Sequence, residues 1–538
     1  MTEKFTICGI VQLNSQTLFG KTKKGFYIKK FFPYKKYKDY EFLYVKCKKE
    51  YQTRNVYAIA SFEGNQKDDI GYGTIEEFLG DVGNKENDEK YLIYICKHKW
   101  CNDKKFKNYE LKDLILERNK IDCYSIYSID PENCKDIDDA IHVKKLPNKK
   151  IEIGIHIADV SSFIPRNSDL DKELSKRCES IYLKNQQINM LPNKLVEFFS
   201  LTNGVEKNAF SLIINTNDTI DIIDFKIRHT KILVKKNLSY TEAENLVETD
   251  LKLMFETGEL LYKKIFKTNN LLNFDTHMMV EAYMILANSL IAEYISKHNP
   301  TNVLLRCQND SDNKYIYDKD IKDTKKILLY KKANNLLMSK ASYSIGVSEK
   351  STHMGLDIKL YTHFTSPIRR YADIINHRMT NDILENIQNK YNINIDQLNN
   401  IHTLNNYCEK LSNQLDLTYL IHEKFNDSYD TYGYVIGFDE NKINIHINNK
   451  ITNIDLTTNL YSNELKHLIS VENKNNKLIL TNNILNKKIE INLFQKIKLI
   501  LISNIFSSKK LLIKIYYPNI RLLFDTDEYY DKNEYFDL

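Results

Sequence analysis

Apolar and polar positions alternate with a period of two in short runs near the start of the chain, TICGIVQL and KGFYIKKFF among them, and eight of the fifteen glycines fall within residues 1 to 83. Alternation punctuated by glycine predicts antiparallel strands joined by tight turns, hence a small β-barrel. From about residue 120 to 425 strand-like runs such as IEIGIHIADVSSFI (151–164) mix with helical stretches. Residues 278–295 place Glu281, Ile285, Asn288 and Ala292 on one helical stripe and Met284, Ala287 and Ile291 on another, which predicts a mostly buried helix with Glu293 off the stripe in solvent. Glu281 and Asn288 read either as a core hydrogen-bond network, the preferred reading, or as one wall of a site. After residue 428 the two-residue period returns in GYVIGF, INIHI and ITNIDL, which predicts a second small β-barrel.

Composition sharpens this picture. The 538 residues are 42% hydrophobic and 28% charged, enough for several globular domains without disulfide or metal staples. Nine scattered cysteines form no CxxC pair, and the start MTEKFTICGIVQ lacks a secretory signal pattern, so a reducing, cytoplasmic location is expected. No window offers the ~18 uninterrupted apolar residues of a membrane span, and no membrane partner is expected. The net charge is +6, but residues 525–538 hold six acids and one lysine, leaving +11 on the remainder. That excess points to a polyanionic partner.

The charge is concentrated. Residues 21–50 carry eleven lysines against three acids, interleaved with nine aromatic residues. Lysines that hold phosphates beside rings that stack bases are the parts of a single-strand-binding OB fold, and Lys29, Lys35 and Lys36, set among Phe31, Phe32 and Tyr34, are the candidate contacts. The alternative is that the rings build the barrel core and the lysines protect strand edges.

Two further clusters bear chemistry. In SIDPENCKDIDDAIHV (128–143), Asp130, Asp136, Asp138 and Asp139 fall within ten residues. Converging carboxylates repel one another unless a cation sits among them, and hard oxygen donors suit magnesium or manganese; a solvated acidic turn is the alternative. In YTHFTSPIRRYADIINHR (361–378), Thr365 or Ser366 reads as a helix N-cap and Pro367 as the first helical residue, with Ile368, Tyr371 and Ile375 on the buried face. That placement puts Arg369 and Arg370 in the first turn, where they oppose the macrodipole and would suit a docked phosphate; a surface arginine pair is the alternative. Together the clusters are an inventory for metal-assisted phosphodiester cleavage.

The segments SIDPENCKDIDDAIHV, GIHIADVSSFI (154–164), SIYLKNQQINMLPNKL (180–195), VEAYMILAN (280–288) and HMGLDIKLYTHFTSPIRRYADIINHR (353–378) resemble, in order, the RNB family of ribonuclease II, ribonuclease R and their exosome-type relatives. The resemblance implies a multidomain α+β protein. Its parts would be a cold-shock-like OB-fold region at 1–115, an α/β RNB catalytic domain at 116–427, an OB-type β-barrel at 428–524 and the acidic tail at 525–538. It implies a processive 3′-to-5′ exoribonuclease releasing nucleoside 5′-monophosphates from single-stranded RNA. A monomer is expected, with RNA-decay complexes as candidate partners. Carried over by position, Asp130, Asp136, Asp138 and Asp139 match the catalytic-centre aspartates, which would hold two Mg²⁺ ions, with Mn²⁺ as a substitute. Asp138 takes the central catalytic role, Arg369 approaches the scissile phosphate, and Tyr182 stacks on nucleotides near the 3′ end. Gln308 stands where the family usually has histidine, no glycine follows Gly437, and about 115 N-terminal residues leave no room for an extra endonuclease domain. Two other classes remain: a non-catalytic OB-fold RNA-binding protein, and a metal phosphodiesterase acting on short oligonucleotides.

Overall fold

A computed structural model describes residues 3–17, 19–35, 40–64, 71–97, 103–106, 109–115, 117–245, 248–268, 274–309, 324–438, 442–449, 454–461, 469–474, 477–482, 487–507 and 510–517. Residues divide into two compact units, one of 1–98, 313–337 and 407–538, the other of 99–312 and 338–406. The two terminal β regions fall in one unit, and most of the region between them in the other.

In that first unit, strands Glu3–Val11, Tyr27–Pro33, Leu43–Cys47, Val56–Gly64 and Gly73–Asp81 close into a five-stranded barrel, followed by a helix at Lys85–Lys97. Val11, Phe31, Val45, Ala58 and Phe62 fill its interior. The alternation read from the sequence is thus the inward face of an OB-type barrel. The C-terminal region holds a five-stranded antiparallel sheet built around Ser428–Phe438 and a three-stranded sheet, Ile469–Lys474, Lys477–Asn482 and Lys487–Asn492. Leu478 and Ile491 of the smaller sheet share one core with Val435, Ile445 and Leu499 of the larger. Buried Asp88 ties these regions together: its carboxylate accepts from Tyr57 (2.7 Å) and Tyr419 (2.6 Å) and pairs with Lys510 (3.0 Å).

The second unit also contains a closed barrel, of Glu206–Thr216, Ile222–Ser239, Asn119–Asp130, Asp139–Leu146 and Lys150–Ala158, with one parallel pair between Ile222–Ser239 and Asn119–Asp130. Helices Thr249–Ile265, Thr276–His298 and Tyr371–Leu384 pack their apolar faces with the barrel's outer residues into one core. Thr276–His298 is the buried helix that the sequence predicts. It is long and apolar enough to cross a membrane by composition, yet 67% of that window is buried inside the protein. Its polar stripe separates: Asn288 is buried at 2% exposure, whereas Glu281 and Glu293 are exposed.

Candidate active site

The acidic cluster is folded by its own sequence. Asn119–Asp130 ends at Asp130, and Cys134 donates its N–H to the Pro131 carbonyl (3.2 Å), closing a tight turn with Asn133 at φ 61°. Asparagine tolerates that left-handed conformation better than most residues. The reversal brings Asp130 back toward Asp136, Asp138 and Asp139, the last opening the strand Asp139–Leu146. Burial pushes the Asp130 carboxyl up to about 6, with Asp136 adding repulsion and Ser128 and Arg369 opposing it. Asp139 is pushed up to about 8 by burial and by Asp130. Asp138, 3% exposed, is raised well above the carboxylate range by burial despite Arg369 beside it. The solvated-turn reading therefore fails for Asp138 and Asp136, which are both buried.

Arg369 arrives from 231 positions beyond Asp138. The Ile368 N–H donates to Asp138 Oδ1 (2.7 Å), and Arg369 Nε lies 3.5 Å from Asp138 Oδ2 with its side chain 40% exposed. The neighbouring arginine behaves differently. The helix begins at Tyr371 and not at Pro367, because Ser366–Arg370 form a turn in which the Arg369 and Arg370 N–H groups reach the Ser366 carbonyl. Arg370 is thus the residue before the helix, and it turns inward to pair with Asp373 (2.9 Å). Its guanidinium is engaged within the protein, which corrects the expectation that it meets phosphate from a first helical turn.

Tyr182 lies in the short strand Ile181–Leu183, 40% exposed, with its hydroxyl on Asp136 Oδ2. The other Asp136 oxygen meets the Cys134 thiol (3.5 Å). The structure thus brings Tyr182, Arg369 and the four aspartates into one neighbourhood. Gln308, the departure from the family pattern, bridges two loops by donating to the Ser339 carbonyl (2.9 Å) and accepting from the Gly355 N–H (3.1 Å). A Cβ on Gly355 would stand 2.3 Å from the Gln308 oxygen, so any larger residue there would displace the Gln308 amide.

The donor set suits a hard divalent cation. Asp130 Oδ2 is buried without a hydrogen-bond partner, an arrangement that costs free energy unless something positive faces it; Asp138 Oδ2 is likewise buried without a hydrogen bond and has Arg369 Nε 3.5 Å away. Among the described residues no three His, Cys, Asp or Glu side chains already surround a single point. A cation would have to draw the carboxylates together.

The basic segment needs a larger correction. Strand Tyr27–Pro33 pairs Lys29 with Val45 and points residues 29 and 31 inward, so Lys29 is 1% exposed and its ammonium makes no hydrogen bond. It cannot contact RNA from there. Lys35 is exposed, and Lys36 lies outside the described residues. Lys30, one position along, is on the outer face. It stands over the rings of Phe42 (4.1 Å) and Phe19 (5.2 Å), within a run of rings that continues through Tyr44 to Tyr72. Choosing 30 over 29 was possible from the alternation of Phe31 with its neighbours.

Comparison with known proteins adds to this geometry. The RNB domain profile matches residues 118–386. Human exosome complex exonuclease RRP44 is 29% identical over 381 residues, covering 56% of this chain and 39% of that protein. Ribonuclease R 2 of Lactococcus lactis is 30% identical over 343 residues, covering 51% of this chain and 50% of the relative. The chain spans half or less of the length of these two relatives. Among solved structures, the apo form of Mycoplasma genitalium RNase R aligns with TM-score 0.67 at 17% identity, covering 95% of this chain and 100% of that one. Its complex with ribose-methylated single-stranded RNA aligns with TM-score 0.65. Yeast Ssd1, a pseudonuclease, aligns with TM-score 0.71 at 16% identity, covering 95% of this chain and 82% of the neighbour. At these identities the structural likeness establishes fold alone.

Proposed function

Because this chain belongs to the RNB family, we propose that it is a magnesium-dependent, processive exoribonuclease that degrades single-stranded RNA from its 3′ end to nucleoside 5′-monophosphates in the cytoplasm. The observation that carries the proposal is the set of four aspartates with Arg369 beside Asp138, two of their oxygens buried without a hydrogen bond. A fold shared with a pseudonuclease does not by itself bring activity. The retained acidic site favours activity over an RNA-binding role alone.

In this mechanism Asp130, Asp136, Asp138 and Asp139 would hold two divalent ions, Mg²⁺ or Mn²⁺. When bound, such a pair activates a water for in-line attack and stabilises the departing 3′ oxygen. Arg369 neutralises charge growing on the phosphate oxygens, a contribution that is greatest in the transition state. Asp138 orients this arrangement from both sides, since one oxygen holds the Ile368 N–H and the other faces Arg369. Tyr182 offers an exposed ring beside the aspartates on which a terminal base can stack. The ring-and-lysine face around Lys30 is the candidate capture surface for single strands. RNA as the ligand is supported by the RNA complex of the M. genitalium relative.

One assay tests the reading against its alternative. Single-stranded RNA carrying a 3′ or a 5′ label is incubated with and without EDTA. The 3′ label should appear at once as mononucleotide, the 5′ label only in a short final product, and EDTA should stop both. Binding without release of mononucleotide would favour the pseudonuclease-like alternative.

A further inference from the structure

Residues 361–370 carry Arg369 on a chain segment that is buried over most of its length yet forms neither helix nor strand. A buried irregular segment has no ladder to satisfy its backbone, so its polar groups must find other partners. Here alternate N–H groups each meet a buried side-chain oxygen. Phe364 donates to Asn288 (2.8 Å), Ser366 to Asp373 (2.7 Å) and Ile368 to Asp138 (2.7 Å). Those acceptors come from three elements: helix Thr276–His298, helix Tyr371–Leu384 and the acidic turn. The carbonyls are held likewise, His363 by Asn376 (2.9 Å), Phe364 by His377 (2.7 Å) and Arg369 by the Ser180 N–H (2.8 Å). Asn288 also donates to the Tyr361 hydroxyl (3.0 Å), and Asp373 also accepts from Arg370 (2.9 Å). Asn288 and Asp373 are 2% and 0% exposed, so water does not compete for these bonds.

We propose that Asn288 and Asp373 are positioning residues for Arg369. They fix the backbone three and five residues ahead of the arginine, at Ser366 and Phe364, so that its guanidinium meets the phosphate from a set direction. This inference rests on the exoribonuclease reading. Asn288 is thus a core residue and part of the site's support at once. Arg370 also belongs to this support: it pairs with Asp373 at 2.9 Å.

The test is a double-mutant comparison of single-turnover hydrolysis at saturating enzyme. Asn288→Ala and Asp373→Asn are each made in the wild-type chain and in the Arg369→Ala chain. With Arg369 present, each should slow turnover by about 10- to 100-fold while RNA affinity changes by less than about twofold, since misplacement by about 1 Å is enough for such losses. In the Arg369→Ala background each should change turnover by less than about twofold, because nothing remains to be positioned. Asn288→Asp, which keeps the acceptor for Phe364, should recover most of the rate. Equal losses in both backgrounds would show that the two residues serve only stability and would overturn the inference alone. Failure of both variants to melt cooperatively would do the same. A wild-type chain that releases no mononucleotide overturns the exoribonuclease reading, and this inference with it.

Discussion

The acidic turn at 130–139 and the basic strand Tyr27–Pro33 both stand out by charge, and folding treats them oppositely. In the turn the chain reverses at Pro131–Cys134, which brings Asp130 near enough to Asp136 and Asp139 for their charges to interact. Burial then raises their proton affinity, and Arg369 is brought against them from a distant segment. In the strand the chain runs straight, and neighbours leave on opposite faces. Lys29 enters an apolar barrel without a partner while Lys30 reaches a row of rings outside. Clustering in sequence therefore predicts convergence where the backbone turns back. In an extended strand it predicts only proximity of Cα atoms.

The strongest way to break this comparison is at the turn. Asp138→Asn keeps an oxygen for the Ile368 N–H but removes a charge, and it should lower turnover by at least ~100-fold, about 2.7 kcal/mol, with RNA affinity little changed. Turnover within about tenfold of wild type would deny Asp138 its central role. Arg369→Lys should fail similarly, because a point charge does not reproduce a guanidinium's two-pronged contact with phosphate. Next comes Tyr182→Ala, which removes stacking of ~1 to 3 kcal/mol per base and should lengthen the final undegraded oligonucleotide. An unchanged end product on a sequencing gel would leave Tyr182 as a support for Asp136 only.

At the strand the effects are smaller and have opposite signs. Lys29→Met replaces a buried, unpaired ammonium with an apolar chain of similar length, and thermal melting should show stabilisation by about 1 kcal/mol or more. Its RNA affinity should match wild type at every salt concentration. Lys30→Gln should leave melting unchanged but flatten the slope of log affinity against log salt by ~0.7, the share of one phosphate on a single strand. Equal behaviour of the two variants would erase the distinction between the faces.

Much of this was legible from residue order. Period-two runs marked the N-terminal barrel, and the apolar stripes marked the buried helix Thr276–His298. The four aspartates fall within ten residues, close enough for cation binding to be weighed against a solvated acidic turn. Other features were hidden for identifiable reasons. Pro367 at an expected N1 position misled, because Asp373 and Asp138 take the N–H groups on either side of it and hold a turn where a helix was expected. Asn288 could be called a core residue or a site residue from its stripe, but its partners at 361–365 lie more than seventy positions away.

Sequence alone determined what spacing controls: which residues share a strand or helix face and which chemistry the aspartates can perform. Tertiary structure decided the rest. It turned Lys29 inward through the register with Leu43–Cys47, gathered the two terminal β regions into one unit, and spent Arg370 on Asp373 while leaving Arg369 partly exposed beside Asp138. The physical reason is range. Backbone dihedrals and side-chain periodicity act over a few residues, whereas the partner of a buried carboxylate or ammonium is selected by packing and desolvation among groups that the chain order keeps far apart.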